Sequence, residues 1–104
     1  AQLRRFTGEI TSRLEQAETH AGTGDWDSVQ ACAAQAAEVW RAQGFYVHAV
    51  LRHDAADEVD TALREAAALA RQEDAGSYAA LSARLICRLR LLAESEALSL
   101  ENIL

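Results

Sequence analysis

Displaced along itself by 52 residues, the chain falls back into register with its own second half. Trp26 lands on Tyr78, Val29 on Leu81, Ala33 on Leu85, Ala37 on Leu89 and Trp40 on Leu92. The turn before them follows, Gly24-Asp25-Trp26 lying over Gly76-Ser77-Tyr78, and upstream Leu14 falls on Ala66 and Ala17 on Leu69. Each half therefore carries apolar positions spaced three and four apart on either side of a short glycine-bearing turn. That is the pattern of a helical hairpin, and one such hairpin cannot bury its stripe alone. Two of them packed together predict an all-α fold, an antiparallel up-down four-helix bundle built from two pseudo-repeated hairpins. A stack of solenoid hairpins fits less well, because two repeats are too few and the outer stripe is too polar.

Composition agrees with helix. The 104 residues include no proline and five glycines, so few points force a helix to stop. Alanine is abundant and β-branched residues are sparse, which favours helix over strand. A net charge of −6 argues against a nucleic-acid surface, which needs a basic stripe, and against docking on anionic lipid. All ten basic residues are arginine, which we attribute to genome composition bias. No apolar run approaches the roughly 20 residues of a membrane span. The chain contains no methionine, and Leu3, Phe6, Ile10 and Leu14 already show helical spacing. The expectation is a trimmed piece of a longer product, cut close to the start of a helix. Cys32 and Cys87 form neither a CxxC motif nor a disulfide framework.

The predicted helices span about 2–21, 25–43, 46–72 and 77–96, followed by a tail at 97–104. Leu3, Phe6, Ile10, Leu14, Ala17 and Ala21 share a face of the first. Gly22-Thr23-Gly24 ends it, and Asp25 is placed to cap the second. Trp26, Val29, Ala33, Ala36, Ala37 and Trp40 form the second stripe. In the third helix Val47, His48, Leu51, Ala55, Val59, Ala62, Ala66 and Leu69 share a broad face. Asp74 or Ser77 caps the fourth, which turns Tyr78, Leu81, Leu85, Leu89 and Leu92 inward. The tail, Ala97 to Leu104, is expected to fold back, with Ser99 starting a short turn and Ile103 or Leu104 covering the end of the bundle.

Three groups of residues bear on function. His53 and Asp57 stand four apart, and Asp60 and Arg64 do the same, on the outer face of the third helix. His53, Asp57 and Asp60 are weak candidate metal ligands, because a site needs further ligands from another helix and the phase points outward. The plainer reading is a chain of exposed ion pairs. His48 falls on the apolar face, where a neutral ring satisfied by one hydrogen bond is the ordinary outcome and a pH response the alternative. Neither histidine has the flanking residues of a phosphotransfer site, and the arginines of helix four face away from the core, unlike those of small helical mutases. No catalytic residue and no cofactor is expected. The third group is a second stripe, Ala80, Ala83, Cys87 and Leu91, nearly opposite the buried face of helix four. It invites another helix, a second copy pairing across a two-fold axis included. Leu100, Ile103 and Leu104 offer a further apolar surface.

The order Gly24-Asp25-Trp26, Trp40, His53-Asp54, the acidic residues from Asp57 to Asp60, Glu73-Asp74 and the closing Ser99-Leu100-Glu101-Asn102-Ile103-Leu104 resembles one known family. It is a domain-of-unknown-function family of small proteins, mainly from Firmicutes, with a short N-terminal membrane anchor and a helical domain of this size. The resemblance implies that an anchor precedes residue 1 and that the domain lies outside the cytoplasmic membrane. It carries no catalytic residues. The expected function is thus a non-catalytic interaction domain, binding a protein partner or itself, touching the membrane only through a segment missing from this chain. The alternative is a metal- or ligand-sensing bundle using His53, Asp57 and Asp60.

Overall fold

A computed structural model describes the backbone of residues 2–103 and the side chains of residues 2–96 and Leu98. All regular structure among the described residues is helical, in five helices where four are expected: α1 Gln2–Gly22, α2 Trp26–Ala42, α3 Gly44–Val50, α4 His53–Arg71 and α5 Ala75–Ile103. The four long helices form a closed ring of neighbours, with α1 against α2 and α5, and α4 against α2 and α5. The short α3 lies at one end against α2 and α4. The body is a rod of 48 × 19 × 18 Å.

Two turns set the register. In the first, Gly24 takes a positive φ of 74°, and Asp25 accepts a hydrogen bond from the Ser28 backbone N–H while its own N–H donates to the His20 carbonyl. In the second, Glu73 takes a positive φ of 55°, Asp74 accepts from the Ser77 N–H, and its N–H donates to the Leu69 carbonyl. Asp74, not Ser77, is therefore the cap of the last helix. Hydrogen bonds to Ser28 hold the Asp25 carboxyl below its usual pKa, and those to Ser77 do the same for Asp74.

These turns also correct the repeat. Asp25 corresponds to Asp74 and Ser28 to Ser77, a displacement of 49 residues rather than 52. At 49 the buried positions coincide: Ile10 with Val59, Leu14 with Leu63, Ala17 with Ala66, Val29 with Tyr78, Cys32 with Leu81, Ala36 with Leu85 and Trp40 with Leu89. A slip of three residues rotates a helix by only about 60°, so apolar stripes still overlap under the wrong displacement. A cap has one position and no such tolerance.

The predicted third helix breaks at Leu51 and Arg52, whose backbones are extended at ψ 152° and 146°. The buried face explains why. Val47 is buried in α3, and Ala56, Val59, Leu63, Ala66 and Ala70 are buried in α4. In one uninterrupted helix Val47 would sit about 180° from Ala56, so the chain buries both only by resetting its phase. His48 consequently lies exposed rather than on the core face, and Leu51 and Ala55 are half-buried. Asp54 occupies the first turn of α4, where a negative charge complements the helix dipole. Part of the acidic run thus marks a helix start.

Large side chains fill the α3 end of the core, where Phe6 meets Trp40 and Tyr46 edge-on at ring distances of 6.1 and 5.8 Å. Toward the two turns the buried residues shrink to Ala17, Ala66 and Ala70, and Tyr78 occupies the space between helices. The tail does not fold back. It continues α5 to Ile103, because neither glycine nor proline follows Gly76 and Ser99 alone does not stop a helix. The 29 residues of α5 span about 43 Å against about 32 Å for the 21 of α1. Leu104 lies outside the described residues, as do the side chains of Leu100 and Ile103.

Candidate functional site

The backbone separates some of the sequence candidates and gathers others. His53 opens α4, exposed at the helix start. Asp57 is exposed and Asp60 half-buried, the latter paired with Arg64 at 3.0 Å. Among the described residues no three His, Cys, Asp or Glu side chains converge in a way that could hold a metal ion. His53, Asp57 and Asp60 thus form no ligand set. Their ion-pair reading holds for Asp60.

Asp57 and Asp60 do share a cavity with His48, although in a single straight helix their phases would keep them apart. The break at Leu51–Arg52 lets α3 turn back over α2 and α4. His48, Asp57 and Asp60 then line one cavity of about 480 Å³ together with Trp40, Arg41, Val47, Leu63 and Arg64. The cavity exists because Ala37, Gly44, Ala56 and Ala67 on its walls are too small to close the gap where α3 departs from α2. Its floor is apolar, formed by the buried Trp40, Val47 and Leu63. Its lining carries charges of both signs, Arg41 and Arg64 with Asp57 and Asp60, and Arg41 pairs with Glu38 outside it. Such a site suits a small polar molecule with an apolar portion; no side chain in it is set up as an activated nucleophile.

A second cavity, of about 440 Å³, opens at the same end between α3, the start of α4 and α5. Tyr46 and Glu96 line it, with the Tyr46 hydroxyl donating to Glu96 Oε2. Burial, followed by the hydrogen bond and charge of Glu96, pushes the Tyr46 pKa up to about 12. Neither residue was singled out from the sequence, yet a signal was there. Leu85, Leu89, Leu92 and Glu96 follow at spacings of four, three and four, so a carboxylate occupies the next position of an apolar stripe.

The outer stripe of the last helix is placed as expected. Ala80, Ala83, Cys87 and Leu91 are all exposed, directly opposite the buried Tyr78, Leu85 and Leu89. Because α5 runs on without a break, Leu98 extends the stripe by two turns; it is 60 % exposed and Leu91 55 %. Cys32 is buried and Cys87 exposed, and both are free thiols.

The model of a protein family described as a domain of unknown function, DUF4363, matches residues 1–103. No curated protein and no solved structure matches the chain. Among the described residues no helix is long and apolar enough to cross a membrane.

Proposed function

The chain belongs to the DUF4363 family, and from that premise we propose that it is a non-catalytic interaction domain of a membrane-anchored bacterial protein. In this reading the four long helices are a bundle of two hairpins, with α3 closing one end, held outside the cytoplasmic membrane by an N-terminal anchor. The location rests on the family resemblance alone. One observation carries the interaction reading: the outer face of α5 exposes Ala80, Ala83, Cys87, Leu91 and Leu98 in one stripe, bordered and interrupted by Arg84, Arg90 and Glu94. Among the described residues α1 and α4 pack along α5, and α3 reaches it through the Tyr46–Glu96 hydrogen bond.

The occupant we favour is the same stripe of a second copy. Ala80 and Ala83 let two helix backbones approach closely, and Leu91 and Leu98 supply apolar area about two turns apart. Antiparallel pairing about Cys87 would bring the two thiols near one another. Sedimentation over a wide concentration range tests this. A monomer–dimer equilibrium is expected, abolished by Leu91→Glu without loss of helix content. Monomer at all concentrations removes the reading.

A second reading is ligand sensing through the cavity between α2, α3 and α4, favoured by the convergence of His48, Asp57 and Asp60 on one rim. Calorimetric titration with small zwitterions distinguishes it. Heat that His48→Ala removes supports sensing; none above the dilution blank ends it.

A further inference from the structure

We propose that the cavity beside Tyr46 and Glu96 is a binding site for a small protonated amine with an apolar body. The decisive atom is Glu96 Oε1. It is buried, and no donor among the described residues reaches it. Its sister oxygen is engaged by Tyr46, which belongs to a different helix 50 residues away. The carboxyl is thus pinned at one oxygen and unsatisfied at the other, on the wall of the cavity.

A buried carboxylate oxygen without a donor is costly, more so than a neutral acceptor. Charge-assisted N–H donors satisfy such an oxygen best. The remaining lining sets the rest of the ligand. Leu3, Val50, Leu51 and Leu92 are apolar, and the volume of about 440 Å³ falls within the range of small-molecule sites. A carboxylate at the wall of an apolar chamber selects a cation with a hydrocarbon portion, not an anion or a sugar. Arg52, on the same lining, does not oppose a cation strongly: its side chain is 86 % exposed and pairs with Asp54 at 3.3 Å. Val50, 54 % exposed, stands at the mouth and would be covered by the ligand's apolar part.

This site is separate from the outer face of α5 and from the His48 cavity, so it stands or falls independently of both. The test is a titration of the folded chain with 2-phenylethylamine at neutral pH, followed by amide chemical shifts. Saturable shifts at Val50, Ala55 and Ser95 in the millimolar range or tighter are expected. Glu96→Gln keeps the shape but loses the charge, and weakens binding by roughly tenfold or more. Ala55→Leu fills the chamber and blocks binding while melting as cooperatively as the parent. The neutral isostere 2-phenylethanol binds at least about tenfold more weakly, since it cannot make a charge-assisted bond. The proposal is overturned by no saturable shift with the amine, by equal affinity for the amine and the alcohol, or by affinity unchanged in a folded Glu96→Gln variant. Binding of basic peptides without binding of the free amine would also overturn it, because the site would then belong to a protein partner's side chain.

Discussion

Replacing Tyr78 by Phe is expected to make this protein more stable, and increasingly so in alkali. Tyr78 is fully buried and its hydroxyl has no partner among the described residues. An unsatisfied buried hydroxyl costs about 1–3 kcal/mol. Removing one oxygen atom leaves a small void that returns part of this, so a net gain of about 1 kcal/mol is expected, or about 4–8 °C in Tm for a chain of this size. Burial, with lesser contributions from Glu18 and Cys32, pushes the phenol pKa up from 10.0 to about 12. The folded state therefore keeps a proton that the unfolded chain releases. Stability from this group is fully present below pH 10 and is lost as the pH rises toward 12. Two pKa units correspond to about 3 kcal/mol. The advantage of Tyr78→Phe should thus be about 1 kcal/mol at neutral pH and several times larger near pH 12. Tyr46 titrates in the same window but is common to both proteins, so it cancels in the difference. Urea denaturation followed by circular dichroism at pH 7, 10 and about 11.5 measures both parts. A variant less stable than the parent at pH 7 would mean that the hydroxyl has a partner. An advantage that does not widen above pH 10 would mean that Tyr78 ionises freely and is not buried.

Three further outcomes follow from the turns and the core. Glu73→Gly relieves a left-handed backbone at φ 55° and should raise stability by about 0.5–1 kcal/mol in urea melts, whereas Gly24→Ala at φ 74° should lower it by a similar amount or more. Asp25 and Asp74 have lowered pKa values, so their stabilisation is present above about pH 4, the usual carboxylate value, and is lost as pH falls through the folded values. Asp25→Ala with Asp74→Ala should lower Tm at neutral pH and flatten its fall below about pH 4, as thermal melts at stepped pH will show. Ala66→Leu, at a fully buried position facing close-packed helices, should cost about 1–3 kcal/mol by overpacking, read as a lower urea midpoint with an unchanged slope.

The sequence by itself determined the all-α class, the inward faces of the first two helices and of the start of the last, and the capping role of Asp25. Apolar spacing and helix propensity are local properties, legible without neighbours: Ile10, Leu14, Val29, Ala36 and Leu89 are buried as their phase requires. It did not determine the displacement between the halves, because a three-residue slip barely rotates a helix, and only the hydrogen bonds of Asp25 and Asp74 decide for 49. Nor did it reveal the break at Leu51–Arg52. Neither glycine nor proline marks that point, and the extended backbone there answers to the simultaneous burial of Val47 and Ala56. That break is the origin of both cavities described above. It exposes His48, places it on one cavity with Asp57 and Asp60, and sets Tyr46 against Glu96 across 50 residues of chain. Helical faces follow from the period of the chain. Cavities follow from where two periods fail to meet, and only packing decides that.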